Sequence, residues 1–322
     1  IDEFILSPDE KTVLFSRSSS VRKIYRRSKT ADFYVMKRGG EAKLLFKEAR
    51  DLAFLPDGKA VCFSRENNLY LYSFANGSEV AVTSDGKWNH IINGTSDWVY
   101  EEEYRFTKAY AVSGDSRKIA YLKFDESEVK EFSIMRYDGE LYNKPFSFKY
   151  PKVGEKNSVV KIFLYDIKSG KTEQDDQYLF NLSWTPSGKL FFYRVNRLQN
   201  HFEVVMYENG KTRVIYDESS PKFVERPTAQ TISFLDDDLF VVNEETTSGF
   251  FSLYLHSVSK GRIRTLVDWK RDVVSLLYAS KKEIFFTATG ENPSTRTLYR
   301  TSIMEESNIQ RLSPENGVCS AI

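Results

Sequence analysis

Three consecutive glutamates, Glu101-Glu102-Glu103, follow Asp97-Trp98-Val99-Tyr100 and form the densest cluster of chemically useful side chains in the sequence. Carboxylates this close repel and raise one another's pKa unless a cation joins them. The run therefore reads either as a solvated acidic turn or as a seat for positive charge. The second use has a plain physical basis. Two carboxylates can accept every hydrogen bond of one ammonium group, and such charge-assisted bonds are strong. An empty pair calls for a neighbouring cationic side chain, for which Arg50 is the candidate, while Glu101 reads as solvated or paired with Arg105.

Other routes to chemistry are thin. His90, His201 and His256 are scattered, and Cys62 and Cys319 have no CxxC spacing, so neither a zinc site nor any cofactor is expected. Cys62 lies in the apolar run Ala60-Val61-Cys62-Phe63 and is expected to be a buried free thiol. No GxSxG nucleophile elbow occurs; Gly94-Thr95-Ser96-Asp97 has the wrong spacing, and no Ser-Asp-His order can be built around the three histidines. With 46 Lys and Arg against 45 Asp and Glu, no net field draws in nucleic acid or an anionic membrane. No run of apolar residues is long enough to span a bilayer.

The elements that must position the acidic run are short and repeated. The content of 19 Tyr and 24 Phe favours strands over helices. A turn rich in Pro, Asp, Ser and Gly precedes an apolar strand at Ser7, Leu55, Ser113, Thr185, Leu235 and Ser280. A strand with alternating tyrosine follows, as in Asn68-Leu69-Tyr70-Leu71-Tyr72, and a further strand such as Arg262-Ile263-Arg264-Thr265-Leu266 closes the unit. Intervals of 45 to 72 residues match four-stranded propeller blades with two insertions. The fold expected is an all-β propeller of six to seven blades over 1–322, with innermost strands beginning at those turns. One insertion, at about 88–108, holds the acidic run; the other, 125–157, reads as an arm. A sandwich of short strands is the alternative, but it has no reason to repeat one turn six times. The chain opens without Met inside an apparent strand, and Gly317-Val318-Cys319-Ser320-Ala321-Ile322 reads as the innermost strand of another blade, so both ends are expected to be cut within a repeat.

Several segments in order carry a family resemblance. Ile24-Tyr25-Arg26-Arg27-Ser28-Lys29-Thr30-Ala31-Asp32-Phe33-Tyr34, Asp97 to Glu103, Phe124-Asp125-Glu126-Ser127-Glu128-Val129 and Tyr150-Pro151-Lys152-Val153-Gly154-Glu155-Lys156-Asn157 together resemble the propeller region of dipeptidyl peptidase IV-type serine exopeptidases. That resemblance implies an eight-bladed propeller joined to a C-terminal α/β-hydrolase domain, of which this chain holds neither the first nor the last blade nor the hydrolase. It implies that Glu102 and Glu103 hold the α-ammonium of a peptide with a free N-terminus, that Arg50 binds a substrate carbonyl, and that the parent releases X-Pro or X-Ala dipeptides while this chain alone is inactive. It also implies a homodimer assembled through the arm, and export to the periplasm or cell surface of a bacterium. A stand-alone interaction propeller and an inactive pseudo-peptidase are the competing functions.

Overall fold

A computed structural model describes residues 1–137, 139, 141–167, 170–175, 178–225, 227–228, 231–304 and 308–320; for 170–175 only the backbone is described. The chain divides into two compact units, Ile1–Leu182 and Ser183–Ile322.

The first unit opens with β1 (Phe4–Leu6), β2 (Thr12–Ser16), β3 (Arg22–Lys23), β4 (Lys29–Lys37) and β5 (Lys43–Phe54). β6 (Ala60–Arg65), β7 (Asn68–Ser73) and β8 (Glu79–Ala81) complete a sheet of order β1-β2-β4-β5-β6-β7-β8, with β3 paired to β4. β5 does double duty. Its first half pairs with β4 and its second half, beyond an irregularity after Arg50, pairs with β6. Two four-stranded blades therefore share one strand. A third blade comprises β10 (Tyr110–Val112), β11 (Lys118–Asp125), β14 (Val159–Asp166) and β15 (Gly170–Asp175), with β9 (Ile91–Asn93) paired to the far end of β11. Between β9 and β10 stands the helix α1 (Trp98–Glu103); between β11 and β14 stands a separate hairpin, β12 (Glu131–Arg136) and β13 (Lys144–Lys149).

β16 (Tyr178–Trp184) leads into β17 (Leu190–Val195), β18 (His201–Glu208) and β19 (Lys211–Ser219). The fifth sheet is β20 (Ile232–Phe234), β21 (Leu239–Glu245), β22 (Phe251–Ser257) and β23 (Gly261–Val267). The sixth is β24 (Val273–Ala279), β25 (Glu283–Thr289), β26 (Arg296–Ser302) and β27 (Gln310–Arg311). All three are four-stranded antiparallel meanders. The fold is an all-β propeller of four-stranded blades, six of them among the described residues.

Burial explains the sequence pattern. β6 is buried along nearly its whole length, because its sheet packs against the first sheet on one face and the third on the other, and so it reads as a continuous apolar run. Within each unit, the described cores lie between consecutive sheets. Leu14, Phe33, Phe46, Val61 and Phe63 join the first and second, and Cys62, Leu69, Tyr110, Tyr121 and Phe163 join the second and third. Within the second unit, Val241, Leu255, Leu276 and Phe286 join the fifth and sixth. Cys62 is fully buried and free, and burial pushes its thiol up to about 12.

Two expectations need correction. The repeated turns lie between the first and second strands of each sheet, so the strand that follows each turn is a central one with two partners, not the innermost edge. The turn itself is as expected: Asp9 Oδ1 accepts the Ser7 hydroxyl at 2.7 Å and the Lys11 N–H at 3.2 Å, and Asp115 Oδ1 likewise accepts the Ser113 hydroxyl at 2.6 Å and the Arg117 N–H at 3.1 Å. The tail also differs. Gly317 and Cys319 bond both backbone groups of Arg296 at 3.0 and 2.9 Å, joining the sixth sheet beyond the end of β27, where those groups would otherwise be unpaired. Ala321 and Ile322 lie outside the described residues.

Candidate functional site

The acidic run breaks the strand pattern because Asp97 caps a helix. Its Oδ1 accepts the Tyr100 N–H at 2.8 Å, satisfying one of the orphan donors of the first turn. Its Oδ2 accepts the Ser158 hydroxyl at 2.5 Å. Asp97 is buried, and burial raises its carboxyl even though both hydrogen bonds oppose the rise.

Six residues of helix gain little stability on their own, so tertiary contacts hold α1 in place. Tyr100 is buried, its ring edge-on to Phe124 and Phe106, and its hydroxyl accepts the Leu179 N–H at 3.1 Å. Trp98 packs on Tyr150, with ring centroids 4.3 Å apart, and on Phe148, so it is anchored by the arm and not by a neighbouring blade. Gly94, just upstream, has φ of +70°, and a Cβ there would come within 2.4 Å of the Leu69 side chain. Only glycine lets the approach to α1 pass this close to β7.

The three glutamates take three different environments. Glu101 is fully buried, contrary to the expectation of solvation or an Arg105 partner. Its Oε1 accepts the backbone N–H groups of Arg27 and Ser28, the latter at 2.9 Å, and so clamps the 24–28 loop of the first blade onto α1. The two bonds to Oε1 replace part of the hydration that burial removes, while Oε2 is buried with no hydrogen-bond partner among the described residues. Glu102 is half-buried and Glu103 is exposed on the last turn. The cation beside Glu102 is Arg26, whose Nη1 lies 3.7 Å from Oε2, and not Arg50.

Arg50 is itself buried, not a surface arginine at a blade edge. Its Nε donates to Asp51 Oδ2 at 2.8 Å, whereas Nη2 is buried with no hydrogen-bond partner among the described residues. Asp51 is fixed in turn by the Thr107 hydroxyl at 2.6 Å, and its backbone carbonyl accepts the Tyr110 hydroxyl. Glu48 and Asp51, on either side of Arg50, both have positive φ, +50° and +55°. Backbone strain of this kind is found where the surroundings over-determine a conformation, commonly at functional sites.

Tyr25 ties these groups together. Burial raises its phenol, the negative charges of Glu126, Asp97 and Glu101 push the same way, and the Arg50 guanidinium opposes them, so all four lie within electrostatic reach of one ring. The ring packs against Trp88, Phe146 and Phe148. Phe146 and Phe148 thus face the body of the unit, and Arg136 of β12 donates to the carbonyls of Lys23 and Ile24 at 3.2 and 3.0 Å. The exposed large apolar side chains of the arm among the described residues are Phe132, Ile134, Met135, Tyr137, Leu141, Tyr142 and Val153; Asp138 and Glu140 lie outside the described residues.

Sequence reasoning overlooked Glu126, Asp51, Tyr25 and Arg26. Glu126 is buried at the end of β11, and burial, reinforced by the Asp97 charge and opposed by Lys149, pushes it up to about 8. Nothing in the charged stretch Asp125-Glu126-Ser127-Glu128 marks one carboxyl as internal. The Asp97 cap, by contrast, was open to inspection as an acidic residue directly before a helical turn.

The described sheets are four-stranded antiparallel blades, and a capped helical turn carrying three glutamates interrupts their strand pattern. The family model of the dipeptidyl peptidase IV N-terminal region matches residues 7–322, and the chain belongs to that family. It is 27% identical over 328 residues to dipeptidyl peptidase 4 of Trichophyton rubrum, covering 93% of this chain and 42% of that protein. It is 31% identical over 216 residues to the prolyl endopeptidase FAP of Mus musculus, covering 62% of this chain and 28% of that protein. The crystal structure of Porphyromonas gingivalis dipeptidyl peptidase 4 is similar with a TM-score of 0.89 and 28% identity, over 98% of this chain and 46% of that one. The chain thus spans less than half the length of these relatives. Among the described residues, no helix is long and apolar enough to cross a membrane.

Proposed function

We propose that this chain is the substrate-selecting propeller region of a serine dipeptidyl peptidase that releases X-Pro or X-Ala dipeptides. Glu102 and Glu103 hold the α-ammonium of a peptide with a free N-terminus, and Arg50 takes up a carbonyl of the same peptide. The observation carrying this reading is α1 itself. Asp97 and Tyr100 fix the helix, Glu101 anchors the 24–28 loop, and the last turn carries half-buried Glu102, 3.7 Å from Arg26, and exposed Glu103. The unused Nη2 of Arg50 supplies a buried donor suited to a carbonyl oxygen. Fixing the amine at a set distance from a nucleophile limits cleavage to two residues, because the peptide cannot extend past its own N-terminus.

Hydrolysis is assigned to an α/β-hydrolase domain outside this chain, in keeping with the absence of a GxSxG elbow from its sequence. Homodimerisation through the exposed apolar tip of the arm, and export to the periplasm or cell surface, belong to the same reading. The test is Glu102→Gln and Glu103→Gln in the full-length protein. Each removes a charge-assisted bond of roughly 1.5–3 kcal/mol, which lowers kcat/KM for dipeptidyl substrates about ten- to hundredfold. Reactivity of the serine toward a small acylating inhibitor without an amine is retained. Wild-type turnover by both variants refutes the assignment; a wild-type protein that turns over no dipeptidyl substrate makes it a pseudo-peptidase instead.

A further inference from the structure

The 24–28 loop is held on every side. The Ile24 N–H donates to the Ser28 carbonyl at 2.9 Å and the Tyr25 N–H to Ser28 Oγ at 3.2 Å, closing the turn from within. Glu101 holds the Arg27 and Ser28 N–H groups, Arg136 holds the Ile24 carbonyl, and Tyr25 is wedged among aromatic rings. A loop this constrained presents Arg26 to Glu102 in one place. The guanidinium lies on the solvent side of the carboxylate, with 75% of the Arg26 side chain exposed against 17% for Glu102. At 3.7 Å the contact is an ion pair without a hydrogen bond, so the lone pairs of Glu102 remain open to a better donor.

We propose that Arg26 is a specificity-determining residue that favours peptides whose N-terminal residue carries an acidic side chain. The inference rests on the reading of Glu102 as part of the amine seat. When an ammonium takes Glu102, two cations face one carboxylate and repel. A side-chain carboxylate leaving the same Cα as that ammonium supplies the missing counter-charge to Arg26. A neutral side chain leaves the repulsion uncompensated, and a lysine adds to it. The preference is modest because the pair is exposed and screened.

The experiment compares chromogenic dipeptidyl-proline substrates with N-terminal Glu, Gln or Lys in the full-length protein. Glu and Gln have the same shape, so their ratio reads charge alone. The expected ratio of kcat/KM, Glu over Gln, is about three- to fivefold at low salt, with Lys below Gln. Arg26→Gln brings the Glu/Gln ratio close to one, Arg26→Lys keeps most of it, and added salt erodes it in the wild type. A Glu/Gln ratio that Arg26→Gln leaves unchanged, or a wild type that does not prefer Glu, overturns the proposal. Glu102→Gln separates the two levels. If it lowers turnover of all three substrates while the Arg26 variants leave the ratio alone, only the Arg26 assignment fails. If it leaves all three at wild-type rates, the amine seat fails and the Arg26 proposal with it.

Discussion

Glu126→Gln stabilises this protein at neutral pH. Glu126 is buried beside Asp97 and shifted from the ordinary 4.5 to about 8. For an acid raised in the folded state, the folded chain keeps a proton that the unfolded chain releases between those two values. Stability contributed by this group is therefore fully present below about 4.5 and is lost progressively as pH rises toward 8. Each pH unit in that window costs about 1.4 kcal/mol, so holding Glu126 inside costs about 3 kcal/mol at pH 7. Glutamine is similar in shape and has no proton to lose. Urea denaturation of the chain at pH 5.5, 7 and 8.5, followed by tryptophan fluorescence, measures the difference. The wild type weakens as pH rises, and the variant gains by up to about 3 kcal/mol at pH 7 while its pH dependence flattens. A shallow residual slope of the same sign remains, because burial also raises Asp97. A variant less stable than wild type at pH 7, or one with a parallel pH profile, refutes the reasoning.

Glu101→Ala strands the Arg27 and Ser28 N–H groups and costs about 2–4 kcal/mol, read as a lower urea midpoint for the first unit; an unchanged midpoint would show that water replaces the clamp. Gly94→Ala meets both a positive φ and the Leu69 side chain, and is expected to lose at least about 2 kcal/mol in the same assay, where a loss below 0.5 kcal/mol would count against the close-approach account. Leu141→Asp with Tyr142→Asp, at the exposed tip of the arm, is expected to convert a full-length dimer to monomer by light scattering, without lowering the thermal midpoint.

The blade count was legible because each turn carries its own chemistry. Ser7 and Ser113 make the same hydrogen bonds to Asp9 and Asp115 that their residue types suggest. The helical turn was legible in Asp97, whose carboxylate had an obvious use ahead of a strand-breaking acidic run. What sequence could not assign was the fate of each glutamate. Glu101, Glu102 and Glu103 are chemically identical, and their burial is decided by a loop more than 70 residues earlier in the chain. Arg26 was hidden for the same reason, since it meets Glu102 only through the fold, from a loop far earlier in the chain. The innermost strands were misplaced because β1 and β10 are only three residues long, too short to show a period, whereas β2 and β11, the central strands that follow them, are longer and carry buried apolar runs. Glu126 sits in a stretch as polar as any solvated loop.

β5 runs unbroken from Lys43 to Phe54 through two sheets, with Arg50 at the point where its pairing passes from β4 to β6. Neither of the first two blades can therefore detach without tearing a strand from the other. Their amides are bound to exchange with solvent as one group, at the rate of the joint opening and not of the weaker sheet. An arginine at that junction is shielded from the fraying that loosens a sheet edge, and it keeps its position until the whole pair gives way.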